Sequence, residues 1–158
     1  MKDQEYGDWS LGVHQRLSAK RIPISGSIDV TQRCNNQCLH CYNNLSAGDQ
    51  KASEVELTFD EYRRIIDEIV DAGCLWLLFT GGEIFLRKDF LDIYTYAKRK
   101  GLLITLFTNG TLITADIADY LAQLAPFSIE VTLYGRTKDT YAIYILAVRD
   151  SLRYRPLQ

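Results

Sequence analysis

From residue 24 onward, short runs of β-branched and aliphatic residues alternate with longer amphipathic segments. Gly or Asn separates the runs, and this alternation predicts strands and helices in βαβα order, the pattern of an α/β fold built on a parallel sheet. Four strands are predicted, at residues 24–30, 74–80, 102–108 and 128–134. In such a fold the ligand sites lie at the carboxyl ends of the strands.

Three helices are predicted between these strands. Thr58 and Glu61 form a capping box at the start of the first helix, and Gly73 ends it. Apolar residues recur within it at steps of three and four, which predicts one buried stripe on a helix whose other face is charged. The second helix is predicted at about 88–100 and the third at about 115–124.

The sequence predicts three parts along the chain. Residues 1–22 lack helix or strand periodicity of any length and are predicted to be an N-terminal extension. Residues 23–142 form the predicted core domain, and residues 143–158 a divergent tail that ends in a basic, Pro-containing segment. Within the core, residues 43–57 are polar and aperiodic, which predicts a loop.

Composition and charge narrow the class of protein. The chain has 158 residues, a formal net charge of −2 and 47% hydrophobic residues, which is typical of one ordinary soluble domain. No stretch approaches the roughly 18 consecutive apolar residues of a membrane span, and the first residues are polar and acidic, unlike a signal peptide. No long Lys/Arg run offers a phosphate-binding surface. We therefore expect a cytoplasmic protein with no membrane and no nucleic-acid partner.

Three of the four cysteines, Cys34, Cys38 and Cys41, lie within eight residues directly after the first predicted strand. Clustered cysteines in a cytoplasmic chain indicate a metal site rather than disulfides. Zinc sites usually take pairs of ligands from two separated segments, and only His40 is close enough here to be a fourth ligand. A four-iron, four-sulfur cluster normally takes four cysteines, so the remaining one, Cys74, has to be considered.

Cys74 begins the second predicted strand, whereas the cysteine motif follows the end of the first. In a parallel sheet these positions lie at opposite ends, roughly 20 Å apart at about 3.3 Å per residue, so Cys74 is expected to be a small buried core residue. Three thiolates then leave one iron of a four-iron cluster without a protein ligand. An open iron of this kind is a place where a small molecule can bind.

A second polar element, Gly81-Gly82-Glu83, ends the second predicted strand. The glycines allow close backbone approach and positive φ, and a carboxylate follows at once. Because the carboxyl ends of parallel strands share one edge, the sequence predicts that this element and the cysteine motif form one site. Taken alone, the same three residues are typical of a plain turn.

Together these residues resemble the radical S-adenosylmethionine (radical SAM) enzymes. The likeness rests on the three cysteines with the aromatic His40 before the third, on Gly81-Gly82-Glu83, and on Thr108-Asn109-Gly110 after the third strand. Residues 130–135 also resemble the fourth-strand segment of the SPASM-type branch, whose members often carry a second cluster domain and modify peptides. The likeness covers about residues 22–142.

The resemblance implies a partial parallel (βα) barrel of the radical SAM type with about four βα units. It implies a [4Fe-4S] cluster held by Cys34, Cys38 and Cys41, with S-adenosylmethionine (SAM) chelated to the open iron. Reductive cleavage of SAM would give a 5′-deoxyadenosyl radical that abstracts hydrogen from a peptide or small-molecule substrate. A one-electron reductant such as a flavodoxin or ferredoxin is the further implied partner. No side chain is assigned as catalytic, because the cofactors carry the hard step.

The resemblance further implies a set of SAM-binding residues. Glu83, with the backbone of Gly81 and Gly82, would receive the methionyl ammonium. His40 would lie against the adenine, and Asn109 and Thr132 would contact the ribose or the carboxylate. Plainer interpretations are an exposed loop residue for His40, a backbone turn at Asn109 and a strand former at Thr132.

Family barrels usually have six βα units, so four predicted strands make this chain look truncated. Two other functions stay open on the sequence alone. One is a non-catalytic iron–sulfur or metal-binding module, and the other is an inactive fragment that binds cofactor without turnover. The Gly-Gly-Glu element favours the enzyme, because an electron carrier needs no receptor for an ammonium group.

Overall fold

The computed structural model describes residues 5–18, 20–43 and 45–137. Its strands are β1 (Ser25–Asp29), β2 (Arg33–Cys34), β3 (Leu45–Ser46), β4 (Trp76–Thr80), β5 (Leu103–Thr108) and β6 (Ser128–Val131). The main sheet has the spatial order β1-β4-β5-β6, and every pairing in it is parallel. The two-residue strands β2 and β3 pair separately, also in parallel. The predicted four-stranded parallel sheet is therefore confirmed.

The helices are α1 (Tyr6–Ser18), α2 (Gln50–Glu54), α3 (Phe59–Asp71), α4 (Phe90–Arg99) and α5 (Ala115–Gln123), with a short 3₁₀ helix at Ile84–Leu86. The predicted capping box of α3 is present: Thr58 accepts from the Glu61 N–H, and the Glu61 carboxylate accepts from the Thr58 N–H. No helix in the described part of the chain is long and apolar enough to cross a membrane.

The core lies between one face of the main sheet and helices α3 and α4. Burial alternates along β4 and β5, so that every second side chain points into this layer. Its buried members include Leu77, Phe79, Ile104 and Leu106 from the strands and Tyr62, Ile66, Phe90, Ile93, Tyr94 and Ala97 from the helices. The opposite face is partly exposed, as Phe107 at 39% shows. Helices on one face and an open second face are the arrangement of a partial barrel.

Helix α1 was not expected from the sequence, because no helical periodicity is visible in residues 1–22. It has no buried residue and contacts the sheet mainly through aromatic rings. The Tyr6 ring lies 4.9 Å from the Phe127 ring, the Trp9 ring lies 5.6 Å from the Trp76 ring, and the Trp76 indole N–H donates to the Tyr6 hydroxyl at 2.7 Å. Few aliphatic residues mark its inner face, so the sequence pattern is weak.

Residues 43–57 are also more ordered than the predicted loop. They contain β3 and the short helix α2, whose first turn is capped by the Asp49 carboxylate accepting from the Ala52 N–H at 2.9 Å. Strands β4 and β6 are shorter than predicted, since β4 begins at Trp76 rather than Cys74 and β6 ends at Val131 rather than Tyr134. The predicted tail, residues 143–158, lies outside the described residues.

Candidate cofactor site

The cysteine loop and the two glycines meet at the carboxyl edge of the sheet. Beyond the β1–β4 pairing, the Gly82 N–H donates to the Thr31 carbonyl at 2.7 Å and the Glu83 N–H donates to the Arg33 carbonyl at 2.9 Å. These bonds extend the contact between the two chain segments up to Cys34. The predicted meeting of the cysteine loop and the Gly-Gly-Glu element is present in the structure.

Close packing explains why glycines occupy this crossing. A Cβ atom on Gly81 would stand 2.2 Å from the Thr31 carbonyl oxygen, and one on Gly82 would stand 2.1 Å from the Arg33 carbonyl oxygen. Gly81 also has a φ of +133°, which residues with a Cβ rarely adopt. The backbone itself therefore forms this part of the site.

The three cysteines of the motif are free thiols around this edge. Cys34 is buried, while Cys38 and Cys41 are partly exposed. Burial raises the pKa of Cys34, and burial together with the neighbouring Cys34 and Cys41 raises the pKa of Cys38. A bound cation would reverse this effect, because it favours the thiolate. Cys74 lies at the other end of β4, where its thiol donates to the Trp76 carbonyl at 3.4 Å.

Glu83 is fully buried, and its carboxylate connects the ends of β4 and β5. It accepts from the Thr108 hydroxyl at 2.8 Å, from the Asn109 N–H at 2.8 Å and from the Phe85 N–H at 3.1 Å. Burial raises the pKa of Glu83 even though all three hydrogen bonds act to lower it. The predicted contact with a ligand ammonium remains a prediction, and the observed contacts give this carboxylate a structural role as well.

The remaining predicted SAM-binding residues lie at the same edge or on the loop above it. Thr132 follows β6, where its N–H donates to the Thr108 carbonyl at 3.1 Å, and its side chain is exposed. His40 is exposed on the cysteine loop and packs edge-on against the Tyr134 ring at 4.5 Å. Asn109 lies between the end of β5 and the cysteine loop. The roles assigned to these residues remain predictions.

Tyr134 is a site residue that was not among the predicted ones. Its ring packs against the His40 ring at 4.5 Å, which places it beside the cysteine loop. Burial and the nearby thiols of Cys38, Cys41 and Cys34 raise the pKa of its phenol. The signal in the sequence was its position, just beyond the carboxyl end of a predicted strand.

A second group that the sequence did not reveal holds the base of the cysteine loop. The Arg33 guanidinium binds both carboxylate oxygens of Glu56, at 2.8 Å and 3.0 Å, and donates to the Ala47 carbonyl at 2.9 Å. The Thr31 hydroxyl donates to the same carboxylate, and Arg87 lies 3.5 Å from it. Both Arg33 and Glu56 are mostly buried, at 15% and 13% side-chain exposure.

Glu56→Gln is expected to destabilise the fold by about 1.5–3 kcal/mol, the range for hydrogen bonds to charged groups. Burial acts to raise the pKa of Glu56, but the hydrogen bonds from Arg33 and Thr31 outweigh it and hold this pKa below its ordinary value. The stabilisation is thus present above the ordinary pKa of a glutamate and is lost as pH falls through the lowered one.

Urea unfolding of the parent and of Glu56→Gln between neutral and acidic pH measures this difference. The gap between their unfolding free energies should close at low pH. Glu54→Gln serves as the control, since Glu54 is exposed at the end of α2, two residues before Glu56, and its carboxylate accepts from the Gln50 amide at 3.0 Å. A gap that stays constant with pH would show that the charge of Glu56 contributes nothing.

The donor set suits an iron–sulfur cluster. Two buried side-chain amides in and beside the cysteine loop, Asn36 Nδ2 and Asn43 Nδ2, lack a hydrogen-bond partner within the described residues. Unpaired buried donors are rare in proteins, and N–H groups next to thiolates complement an anionic group whose sulfurs accept hydrogen bonds.

A single metal ion needs three or more ligand side chains that converge on one point. Among the described residues, no group of three or more His, Cys, Asp or Glu side chains is placed to hold a metal ion. A four-iron cluster needs a different arrangement, because each thiolate binds its own iron and the sulfurs do not converge on one point.

Comparison with known protein families shows the family to which the chain belongs. The model of the Radical SAM superfamily matches residues 28–155, which include all three clustered cysteines. The chain belongs to the radical SAM superfamily. Membership confirms the predicted family and implies a [4Fe-4S] cluster and SAM as the cofactors of that family, as the resemblance had implied.

Several curated relatives share this radical SAM region. Fe-coproporphyrin III synthase of Methanosarcina barkeri is 37% identical over 107 residues, covering 68% of this chain and 26% of that protein. PqqA peptide cyclase of Bradyrhizobium diazoefficiens is 31% identical over 123 residues, covering 77% of this chain and 32% of that protein. This radical SAM chain therefore spans about a quarter to a third of the length of these relatives.

Solved structures support the radical SAM fold. Streptococcus suis SuiB, bound to S-adenosylmethionine, superposes with a TM-score of 0.68 at 17% identity, covering 93% of this chain and 35% of SuiB. SuiB bound to its precursor peptide SuiA gives the same TM-score. The predicted partial barrel is confirmed, and the match to a peptide cyclase agrees with the predicted likeness to the SPASM-type branch.

Proposed function

We propose that Cys34, Cys38 and Cys41 of this chain hold a [4Fe-4S] cluster and that SAM binds beside it at the carboxyl edge of the sheet. This pair of cofactors would supply reductive cleavage of SAM, in which one electron from the reduced cluster breaks the S–C5′ bond to give methionine and a 5′-deoxyadenosyl radical that abstracts hydrogen from a substrate. The protein contributes the binding surface, the orientation of the ligands and the exclusion of water.

One observation carries this proposal. The free thiols, the paired glycines and the polar residues after β5 come from three separate chain segments, yet they meet at one edge of a parallel sheet. The bonds from Gly82 and Glu83 to the carbonyls of Thr31 and Arg33 fix the first two segments together. The bonds from Thr108 and Asn109 to Glu83 fix the third.

The chain's own residues have distinct parts in this proposal. Gly81 and Gly82 bring the backbone close enough for its polar groups to face a ligand. Glu83 keeps the ends of β4 and β5 in register and places a carboxylate next to the methionyl ammonium. His40 and Tyr134 offer ring surfaces on which an adenine can stack.

The proposed substrate is a peptide or a small molecule, and some of the relatives support a peptide. One relative is named a peptide cyclase, and SuiB was solved with its precursor peptide. We include in the proposal a cytoplasmic location and a one-electron reductant such as a flavodoxin or ferredoxin. The clustering of three cysteines in a metal-type motif agrees with this location, because such motifs are typical of reducing compartments.

The test is anaerobic reconstitution with iron and sulfide, followed by reduction in the presence of SAM. We expect a cluster with an EPR signal in the reduced state and formation of 5′-deoxyadenosine that depends on both reductant and SAM. Cys74→Ser is the matched control and should behave as the parent, because its thiol lies at the opposite end of β4. A reducible cluster that gives no 5′-deoxyadenosine with SAM would favour the non-catalytic module instead.

A further inference from the structure

The side chain of Asn109 joins the end of β5 to the first cysteine of the loop. Its Nδ2 atom lies 3.7 Å from Cys34 Sγ and 2.9 Å from Asn35 Oδ1. Two amide hydrogens are present on Nδ2, so one can be donated to each acceptor. Asn109 and Cys34 are 75 residues apart in sequence, and this contact is formed only by the fold.

The orientation of the Asn109 amide is determined by its neighbours. Its Oδ1 atom accepts from the Thr111 N–H at 2.9 Å and from the Thr111 hydroxyl at 2.6 Å. The Thr111 hydroxyl oxygen also accepts from Asn35 Nδ2 at 2.8 Å, which leaves the hydroxyl hydrogen to be donated to Asn109 Oδ1. Two donors therefore face one end of the amide, which requires that the end facing Cys34 is the NH₂ group.

Cys34 is also the buried cysteine of the motif, and its sulfur receives a second hydrogen bond, from the Asn36 N–H at 3.4 Å. In a buried site an N–H dipole acts on a thiolate with little screening by water. Hydrogen bonds to cluster sulfurs are among the factors that set the reduction potential of iron–sulfur centres.

We propose that Asn109 is a positioning residue that donates a hydrogen bond to the Cys34 thiolate and makes the cluster easier to reduce. The inference rests on the proposed function, since it requires the cluster at these cysteines. Reduction adds one negative charge to the cluster, so a fixed N–H donor stabilises the reduced form more than the oxidised form. Asn35 and Thr111 hold the donor in place through the hydrogen bonds described above.

The experiment is an EPR-monitored redox titration of the reconstituted protein, without any assay of turnover. Asn109→Leu has nearly the same shape and lacks the donor. At a fixed solution potential, we expect its ratio of reduced to oxidised cluster to fall about tenfold, equivalent to ~59 mV for a one-electron couple. Asn109→Asp keeps the acceptor for Thr111 and loses the donor, so its potential should also fall.

Thr111→Val is the matched control, because it disturbs the same hydrogen-bond group but leaves the Asn109 NH₂ present. Its shift should be clearly smaller than that of Asn109→Leu. Iron and sulfide content separates the two proposals: a parent protein that takes up no cluster would overturn the proposed function and this inference with it. If Asn109→Leu or Asn109→Asp carries a full cluster at the parental potential, or Thr111→Val shifts as far as they do, the inference is wrong.

Discussion

Replacing any one of Cys34, Cys38 and Cys41 by serine is expected to reduce cluster content from about four irons and four sulfides per chain to nearly none. In the proposed site the three thiolates are the whole protein ligand set, since the fourth iron would be left open for SAM. A serine hydroxyl is a poor substitute because it does not ionise near neutral pH and binds iron less well than a thiolate. The loss should be similar at all three positions.

Cys74→Ser is the matched control for this prediction. Cys74 packs against the hydrophobic core at the start of β4 and donates to a backbone carbonyl, whereas the motif lies beyond the other end of the sheet. We expect full iron and sulfide content in this variant. Colorimetric iron and acid-labile sulfide assays, together with the visible absorbance of the cluster, measure both sets of variants.

Two results would contradict the cluster assignment. One is a tightly bound zinc ion at about one per chain in the parent with no acid-labile sulfide, which would identify a mononuclear site. The other is retention of the cluster by one of the three motif variants, which would mean that a different residue supplies the ligand.

The parallel sheet and its helices could be predicted because their signals are local. Strands β4 and β5 are short apolar runs, and helix α3 carries a complete capping box from Thr58 to Glu61. Both kinds of signal depend on residues a few positions apart. Helix α1 lacked such a signal because Gly7 and Gly12 lower its helix propensity and its contacts are made by single aromatic rings.

For the candidate site, the sequence predicted the edge of the sheet at which it lies but not the contacts of its side chains. Strand order placed the cysteine motif and the Gly-Gly-Glu element together, since the carboxyl ends of parallel strands share one edge, and Asn109 was added by the family resemblance. The partners of individual side chains were not predictable, because they join distant segments. The pairing of Arg33 with Glu56 spans 23 residues, and Glu83 receives the N–H of Asn109 across 26 residues.

Gly82→Ala is expected to destabilise the fold by about 3 kcal/mol or more, at the upper end of the range for overpacked sites. The added Cβ would stand 2.1 Å from the Arg33 carbonyl oxygen and 2.5 Å from its carbonyl carbon. Both atoms belong to the backbone, so no rotamer change can relieve the clash. The chain segment just before Cys34 would have to move.

Alanine substitutions at two further glycines distinguish the cost of a steric clash from the cost of an unfavourable backbone conformation. Gly101 has a φ of +88° and no atom within 4 Å of the position that an added Cβ would take, so Gly101→Ala tests conformational strain alone, at about 1–2 kcal/mol. Gly26 has neither positive φ nor a close neighbour, and Gly26→Ala should lie within about 0.5 kcal/mol of the parent. Urea unfolding of cluster-free protein measures all three, because a bound cofactor disturbs two-state behaviour.

In Gly82→Ala, movement of the segment before Cys34 should also disturb the cofactor site. Arg33 directly precedes Cys34, and its carbonyl accepts the Glu83 N–H at 2.9 Å, so a shift of this carbonyl moves both the first cysteine and the Gly-Gly-Glu element. Gly82→Ala should therefore take up less iron and sulfide than Gly101→Ala even at a temperature where both are folded. If Gly82→Ala unfolds with the same free energy as Gly26→Ala and takes up a full cluster, the two segments are not packed as closely as the structure indicates.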